Sequence, residues 1–175
     1  MKARGYEPRT IEEASVRAAR RIRADELKER VVRAFAGVKL GHGVGLNEAY
    51  AMDDYADEVT RAAIRVGDEK DDWQRIPNTH RHYGRTGLSF FDAEGMRFHL
   101  PFYLLADLND EEGCQILFHL TNLSEHGREQ MSLLTPEQRA VVADYLELVA
   151  EEEPEYHGEE IADALRSFWR AEPSA

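Results

Sequence analysis

Phe90-Phe91-Asp92-Ala93-Glu94-Gly95-Met96-Arg97-Phe98-His99-Leu100-Pro101-Phe102-Tyr103-Leu104-Leu105-Ala106-Asp107-Leu108 is the most apolar part of the chain. So many apolar side chains must face a core, and they do not alternate as a half-buried strand would. Pro101 interrupts the run. Proline lacks an amide donor and clashes with the carbonyl one turn back. The expectation is a short helix to about His99, then a second helix with Pro101 in its first turn. That second helix is expected at the centre of the fold.

Ile116 to Leu123 follows as a short apolar segment, helical or extended. Thr135-Pro136-Glu137-Gln138 is the clearest helix start, with a capping hydroxyl, proline at the first helical position and Gln138 placed to reach back. Val141, Val142, Tyr145, Leu146 and Val149 give this helix its apolar stripe, and Pro154 ends it. A last helix is expected from about Glu159 to Arg170, burying Ile161, Leu165, Phe168 and Trp169. On the other side of the central run, residues 67–88 read as a long connection, punctuated by Gly67, Pro77, Gly84 and Gly87. Trp73 and Ile76 should pin it. A helix from Glu48 to about Val66, capped by Asn47, would carry Met52, Tyr55, Ala56, Val59, Ala63 and Val66. Gly37 to Gly45 is a glycine-rich loop without the lysine and hydroxyl of a phosphate-binding Walker loop. Thr10-Ile11-Glu12-Glu13 forms a capping box. It opens a helical segment whose core members are Leu27, Val31, Val32 and Phe35. Asp25 is a second start signal, so one helix or two is left open. The expected class is all-α: one compact domain of five or six helices over residues 26–175, preceded by a basic helical extension over residues 1–25.

The chain has 175 residues and a mass of 20.0 kDa, 42% hydrophobic and 32% charged, with net charge -12. Residues 1–36 hold 10 basic and 6 acidic side chains; the remainder hold 12 and 28. A basic segment therefore precedes an acidic body of net -16. The body would repel nucleic acid. The basic segment is expected to lie against the acidic body, with a second copy of the chain as a further partner for it. Cys114 is the single cysteine, so no intramolecular disulfide forms and no multi-cysteine zinc site exists. No apolar run reaches membrane-spanning length, and the first residues are charged rather than signal-like. The expectation is a cytoplasmic protein without a cofactor.

Candidate chemistry is sparse. His80, His82, His99 and His119 would make a metal site only if they met in space. Asp53, Asp54, Asp57 and Glu58 are spaced by three and four, so on one helix they would line neighbouring stripes. Such carboxylates either bind a cation, pair with arginines or face water. No serine-hydrolase elbow is present, and Cys114 has no activating base in its local sequence. The first functional expectation is a non-catalytic interaction or regulatory protein. Its acidic surface of Asp53, Asp54, Asp57 and Glu58 would meet a basic protein partner. The second is a metal-dependent hydrolase using the Asp53/Asp57 face or the histidines.

The run from Phe90 to Pro101, followed by Tyr103-Leu104-Leu105-Ala106-Asp107-Leu108, resembles the signature of a bacterial family known as domain of unknown function 6714. Asp53-Asp54-Tyr55-Ala56-Asp57, Asp71-Asp72-Trp73, Phe118-His119-Leu120-Thr121 and Gln138-Arg139 agree with it. The resemblance implies a compact bacterial cytosolic domain. It brings no assigned activity, cofactor or catalytic residue.

Overall fold

In the computed structural model, which describes residues 8–77, 84–109, 115–152 and 154–171, the apolar run forms one helix, α5 (Ala93–Asp107), continuous through Pro101. The expected division near His99 does not occur. An interior proline costs a helix about 3 kcal/mol. Phe98, Leu100, Phe102, Tyr103 and Leu104 are all buried around it. Each such side chain contributes about 1.5–3 kcal/mol when fully buried. The packing outweighs the lost hydrogen bond severalfold.

The other helices wrap this one. They are α1 (Pro8–Ala34), α2 (Leu46–Asp53), α3 (Glu58–Arg65), α4 (Gly84–Phe90), α6 (Ile116–Thr121), α7 (Glu125–Gln130), α8 (Pro136–Glu152) and α9 (Pro154–Ala164). A 3₁₀ turn at Trp73–Arg75 and a π turn at Leu165–Trp169 complete the described elements, among which there is no strand. α5 touches α1, α6, α7 and the 3₁₀ turn; α1 and α9 both pack on α8, and α2 packs on α3 and α4. The all-α expectation holds, with more and shorter helices than expected.

α1 is unbroken at Asp25, whose carboxylate pairs with Lys28 one turn on at 3.1 Å. The helix thus runs across the boundary expected at residue 25. Thr10 falls inside the described part of α1, and the side chains of the expected capping box, Thr10 to Glu13, lie outside the described residues. Ala24, Leu27 and Val31 form the buried side of α1, continued by Phe35 just past its end. Its arginines meet acidic residues along α8: Arg20 with Glu152 and Arg23 with Glu151 at its end, Arg30 with Asp144 at its middle. Exposed pairs contribute at most about 1 kcal/mol each, but three of them fix how α1 lies.

The α8 start behaves as the motif requires. The Gln138 amide donates to Thr135 Oγ1 at 3.2 Å, and Gln138 Oε1 accepts from the Thr135 amide at 3.0 Å. Gln138 also donates to the Ala34 carbonyl at 3.0 Å and accepts from Arg97 at 3.2 Å, so one cap joins α8 to the end of α1 and to α5. Pro154 opens α9 instead of merely ending α8, five residues before the expected start. Proline suits a first helical position because its missing amide has no partner there anyway. Trp169 donates to the Leu120 carbonyl at 2.8 Å, and Trp73 to the Phe35 carbonyl at 2.9 Å.

The glycine loop lies on the N-terminus of α5. Asp92 Oδ1 accepts from the Gly95 amide at 2.8 Å and from the Val44 amide at 3.0 Å. Glu94 accepts from the His42 amide at 2.7 Å. The backbones are so close that a Cβ on Gly95 would sit 2.5 Å from the Val44 carbonyl oxygen. Gly95→Ala should therefore lose roughly 1–3 kcal/mol in urea denaturation. Gly158→Ala, in α9 with its nearest neighbour 4.0 Å away, should instead gain about 0.5–1 kcal/mol.

Candidate functional site

Two surfaces meet at α2, one at each end. At its N-terminus, Asp68 is buried and takes the place of a local cap. Its carboxylate accepts from the Asn47 amide at 2.7 Å, from the Asn47 side chain at 2.8 Å and from the Glu48 amide at 3.3 Å. Gly45 is the residue before the helix, and a Cβ there would collide with the Asp68 carboxylate at 2.0 Å. The expected cap, Asn47, is instead the second residue of the helix.

Beside this junction opens a cleft of about 390 Å³, lined by Asn47, Asp68, Glu69, Arg75 and Ile76, with His99 among its walls. The Glu69 carboxylate accepts from the amides of Lys70, Asp71 and Asp72 at 2.9–3.2 Å. The Asp71 amide above all holds its carboxyl below the usual range. His99 is 1% exposed. Its ring stacks on Phe91 at 4.3 Å with planes 3° apart, and meets the edge of Phe98. Nδ1 lies 2.7 Å from the Gly95 carbonyl oxygen, so Nδ1 carries the proton and donates. Burial pushes the imidazole down to about 4, against the pull of that carbonyl and of Asp92.

At the other end of α2 the expected single helix of residues 48–66 is two helices. Asp54 caps α2. Tyr55 follows in the left-handed region at φ 57°. The Tyr55 amide donates to Met52 at 3.1 Å and the Ala56 amide to Ala51 at 2.8 Å, the paired bonds of a Schellman closure. Asp57 then caps α3, accepting from the Thr60 amide at 2.8 Å. Two physical effects favour the break. Asp53 and Asp54 oppose the dipole at a helix C-terminus, and aspartate is a preferred N-cap.

Asp53 and Asp57 thus lie on either side of a break and do not share a helix face. The apolar side chains assigned to that helix are largely in water: Tyr55 is 96% exposed, Val59 81% and Val66 77%. α3 buries no residue. Arg65 holds α3 against the loop, pairing with Glu48 at 2.9 Å and donating to the Gly43 carbonyl at 2.6 Å.

Of the histidine constellation, His80 and His82 lie outside the described residues, as does Cys114. His119 is buried on α6 beside Phe118, and burial, then His126, lowers its affinity for a proton. Among the described residues, no group of three His, Cys, Asp or Glu side chains gathers to hold a metal ion. No described helix is long and apolar enough to cross a membrane.

His99 ties stability to pH. The folded state holds it neutral, while the unfolded chain binds a proton below about 6.5. Its stabilising contribution is present above that pH and falls as pH drops towards 4, by about 1.4 kcal/mol per unit and roughly 3 kcal/mol in all. His119 acts in the same direction. Urea midpoints should decline steadily from pH 7 to pH 4.5, while His99 ring resonances stay those of a neutral imidazole down to about pH 5.

No curated protein and no solved structure matches the chain. The profile of the family described as "Family of unknown function (DUF6714)" matches residues 23–173, from the middle of α1 to beyond the π turn. The chain belongs to this family of unknown function.

Proposed function

We propose that this protein is a non-catalytic interaction module that docks a basic, amphipathic segment of a partner protein. The docking face is the exposed stripe of Tyr55, Val59 and Val66 with its acidic rim of Asp53, Asp54, Asp57 and Glu58. Val59 and Val66 are seven residues apart and share a side of α3. Among the described residues no ion pair holds Asp53, Asp54 or Glu58, so these carboxylates supply charge for a basic partner.

The observation that carries the reading is Tyr55. Its position is one that glycine normally takes, and a side chain there costs about 1–2 kcal/mol. Its ring makes up none of that cost by burial. A costly conformation with no folding benefit points to function, and exposed tyrosine is a preferred anchor in protein interfaces. The metal-dependent hydrolase reading has no comparable support. Its Asp53/Asp57 pair is divided by the helix break, and Asp57 is engaged as a cap.

Tyr55→Gly separates stability from binding. The variant should gain about 0.5–1 kcal/mol in urea denaturation. Its affinity for a synthetic leucine-lysine amphipathic helix, read by fluorescence anisotropy, should fall at least about tenfold. Binding by the unaltered protein should weaken with added salt. Equal affinity of the two proteins, or a dimer of the unaltered chain dispersed by Tyr55→Gly, would overturn the choice of partner.

A further inference from the structure

We propose that Arg128 and Arg139, gathered at the ring of Phe168, form a binding site for a small oxyanion with two negative charges, of the phosphate type. The site is built from α7, α8 and the π turn, and it is independent of the docking stripe on α3.

The first observation is two like charges brought to one ring. The Arg139 guanidinium stacks 4.1 Å from the centre of Phe168 and also meets Trp169 at 5.5 Å. The Arg128 guanidinium lies 5.2 Å from the same Phe168 centre. Attraction to an aromatic face accounts for either arginine alone. It does not account for the pair, because the two cations repel each other.

The second observation is that no carboxylate offsets this repulsion. Arg20, Arg23, Arg30, Arg65 and Arg170 all pair with carboxylates in this acidic chain. Among the described residues neither Arg128 nor Arg139 does so. Each donates to a backbone carbonyl instead, Arg128 to Leu123 at 3.0 Å and Arg139 to Phe168. Arg139 is half-buried, and burial lowers its hold on its proton, whereas Glu151 raises that of Arg23.

The third observation is the supply of donors. A guanidinium has five N–H groups, and a single hydrogen bond occupies each of these two. None of their other nitrogens is buried without a partner, so the unused donors are open to solvent. Planar forks of this kind match phosphate oxygens bidentately. A dianion neutralises both guanidiniums, whereas one carboxylate would leave a charge uncompensated. The widened turn brings Phe168 to this place. In it the Arg170 amide reaches back five residues to the Leu165 carbonyl at 2.8 Å, and such turns are frequent at functional sites.

A phosphate titration at constant ionic strength and about pH 8, where phosphate carries two charges, tests the proposal. The Nε–H resonances of Arg128 and Arg139 in ¹⁵N spectra should follow one saturating curve, half complete below about 10 mM. Acetate at the same ionic strength should leave them nearly in place. Phenyl phosphate in a parallel titration distinguishes the source of the group. Tighter binding than inorganic phosphate assigns the site to phosphomonoesters, and equal or weaker binding assigns it to the free ion. Arg128→Ala removes an exposed side chain, and Arg139→Lys keeps the charge but removes the fork. Each should weaken phosphate binding at least about tenfold, while an unmoved Trp169 indole N–H resonance, which reports the bond to Leu120, shows that the fold is kept. The proposal fails if the two arginine resonances do not saturate, if acetate moves them as far as phosphate does, or if either variant binds phosphate unchanged.

Discussion

The Asp92 carboxylate accepts two amides with one oxygen, that of Gly95 in its own helix and that of Val44 in the glycine loop. The first bond starts the central helix; the second brings the loop onto it. Gly95 and Gly43 then let the two backbones approach so closely that no side chain fits between them. The segment that follows the loop is tied back to this contact. α2 leaves the loop from Gly45, Asp68 returns to cap it, and Arg65 reaches back to the carbonyls of Gly41 and Gly43. The Asp-Ala-Glu-Gly portion of the family signature thus has a physical meaning. Asp92 and Glu94 are acceptors for the loop, and Gly95 leaves room for it. The continuation from Met96 to Pro101 fills the core, with His99 stacked on Phe91.

The acidity of the chain has an equally structural origin. Asp57, Asp68, Asp72 and Asp92 cap helix or turn starts, and Glu69 collects three successive amides. Asp144, Glu147, Glu151 and Glu152 meet arginines of α1 or Arg170. A fold made of short helices has many unsatisfied N-terminal amides, and carboxylates suit them both as acceptors and by charge. Much of the excess negative charge read from composition is therefore committed to folding. The acidic rim around Tyr55 is a local exception, not a sample of a uniformly acidic surface.

Elements controlled by neighbouring residues were legible in the sequence. The Thr135–Gln138 cap, the α1 core stripe and the anchoring roles of Trp73 and Ile76 are local signals, and the structure bears them out. The basic segment lies against the acidic body through Arg20, Arg23 and Arg30 as charge alone implies. The failures share one cause. Pro101 reads as a boundary because propensity is local, whereas burial on all sides is not. Asp68 caps a helix that starts 22 residues earlier, and no spacing rule reaches that far. The cleft was invisible for the same reason, since its walls come from α2, the connection after α3 and α5. Tyr55 was misread differently. Its spacing fits a helical stripe, and only the left-handed φ reveals that the helix has already closed.

Tyr55 stands apart because it works against the fold that contains it. A glycine at position 55 would close α2 at less conformational cost. Gln130 and Tyr145, by contrast, reach partners that explain them: Gln130 binds the Leu88 and Phe91 carbonyls, and Tyr145 donates to Asp107 at 2.7 Å. Local choices that oppose the global structure are expected at functional sites. Tyr55 and the cleft lie at opposite ends of one eight-residue helix, about 12 Å long. Both helix ends are locked, by Asp68 at the start and by the Schellman bonds at the finish. α2 is therefore a rigid spacer whose own residues serve mainly to present what lies beyond each end. This accounts for a short helix, with few buried side chains of its own, being held by so many specific contacts.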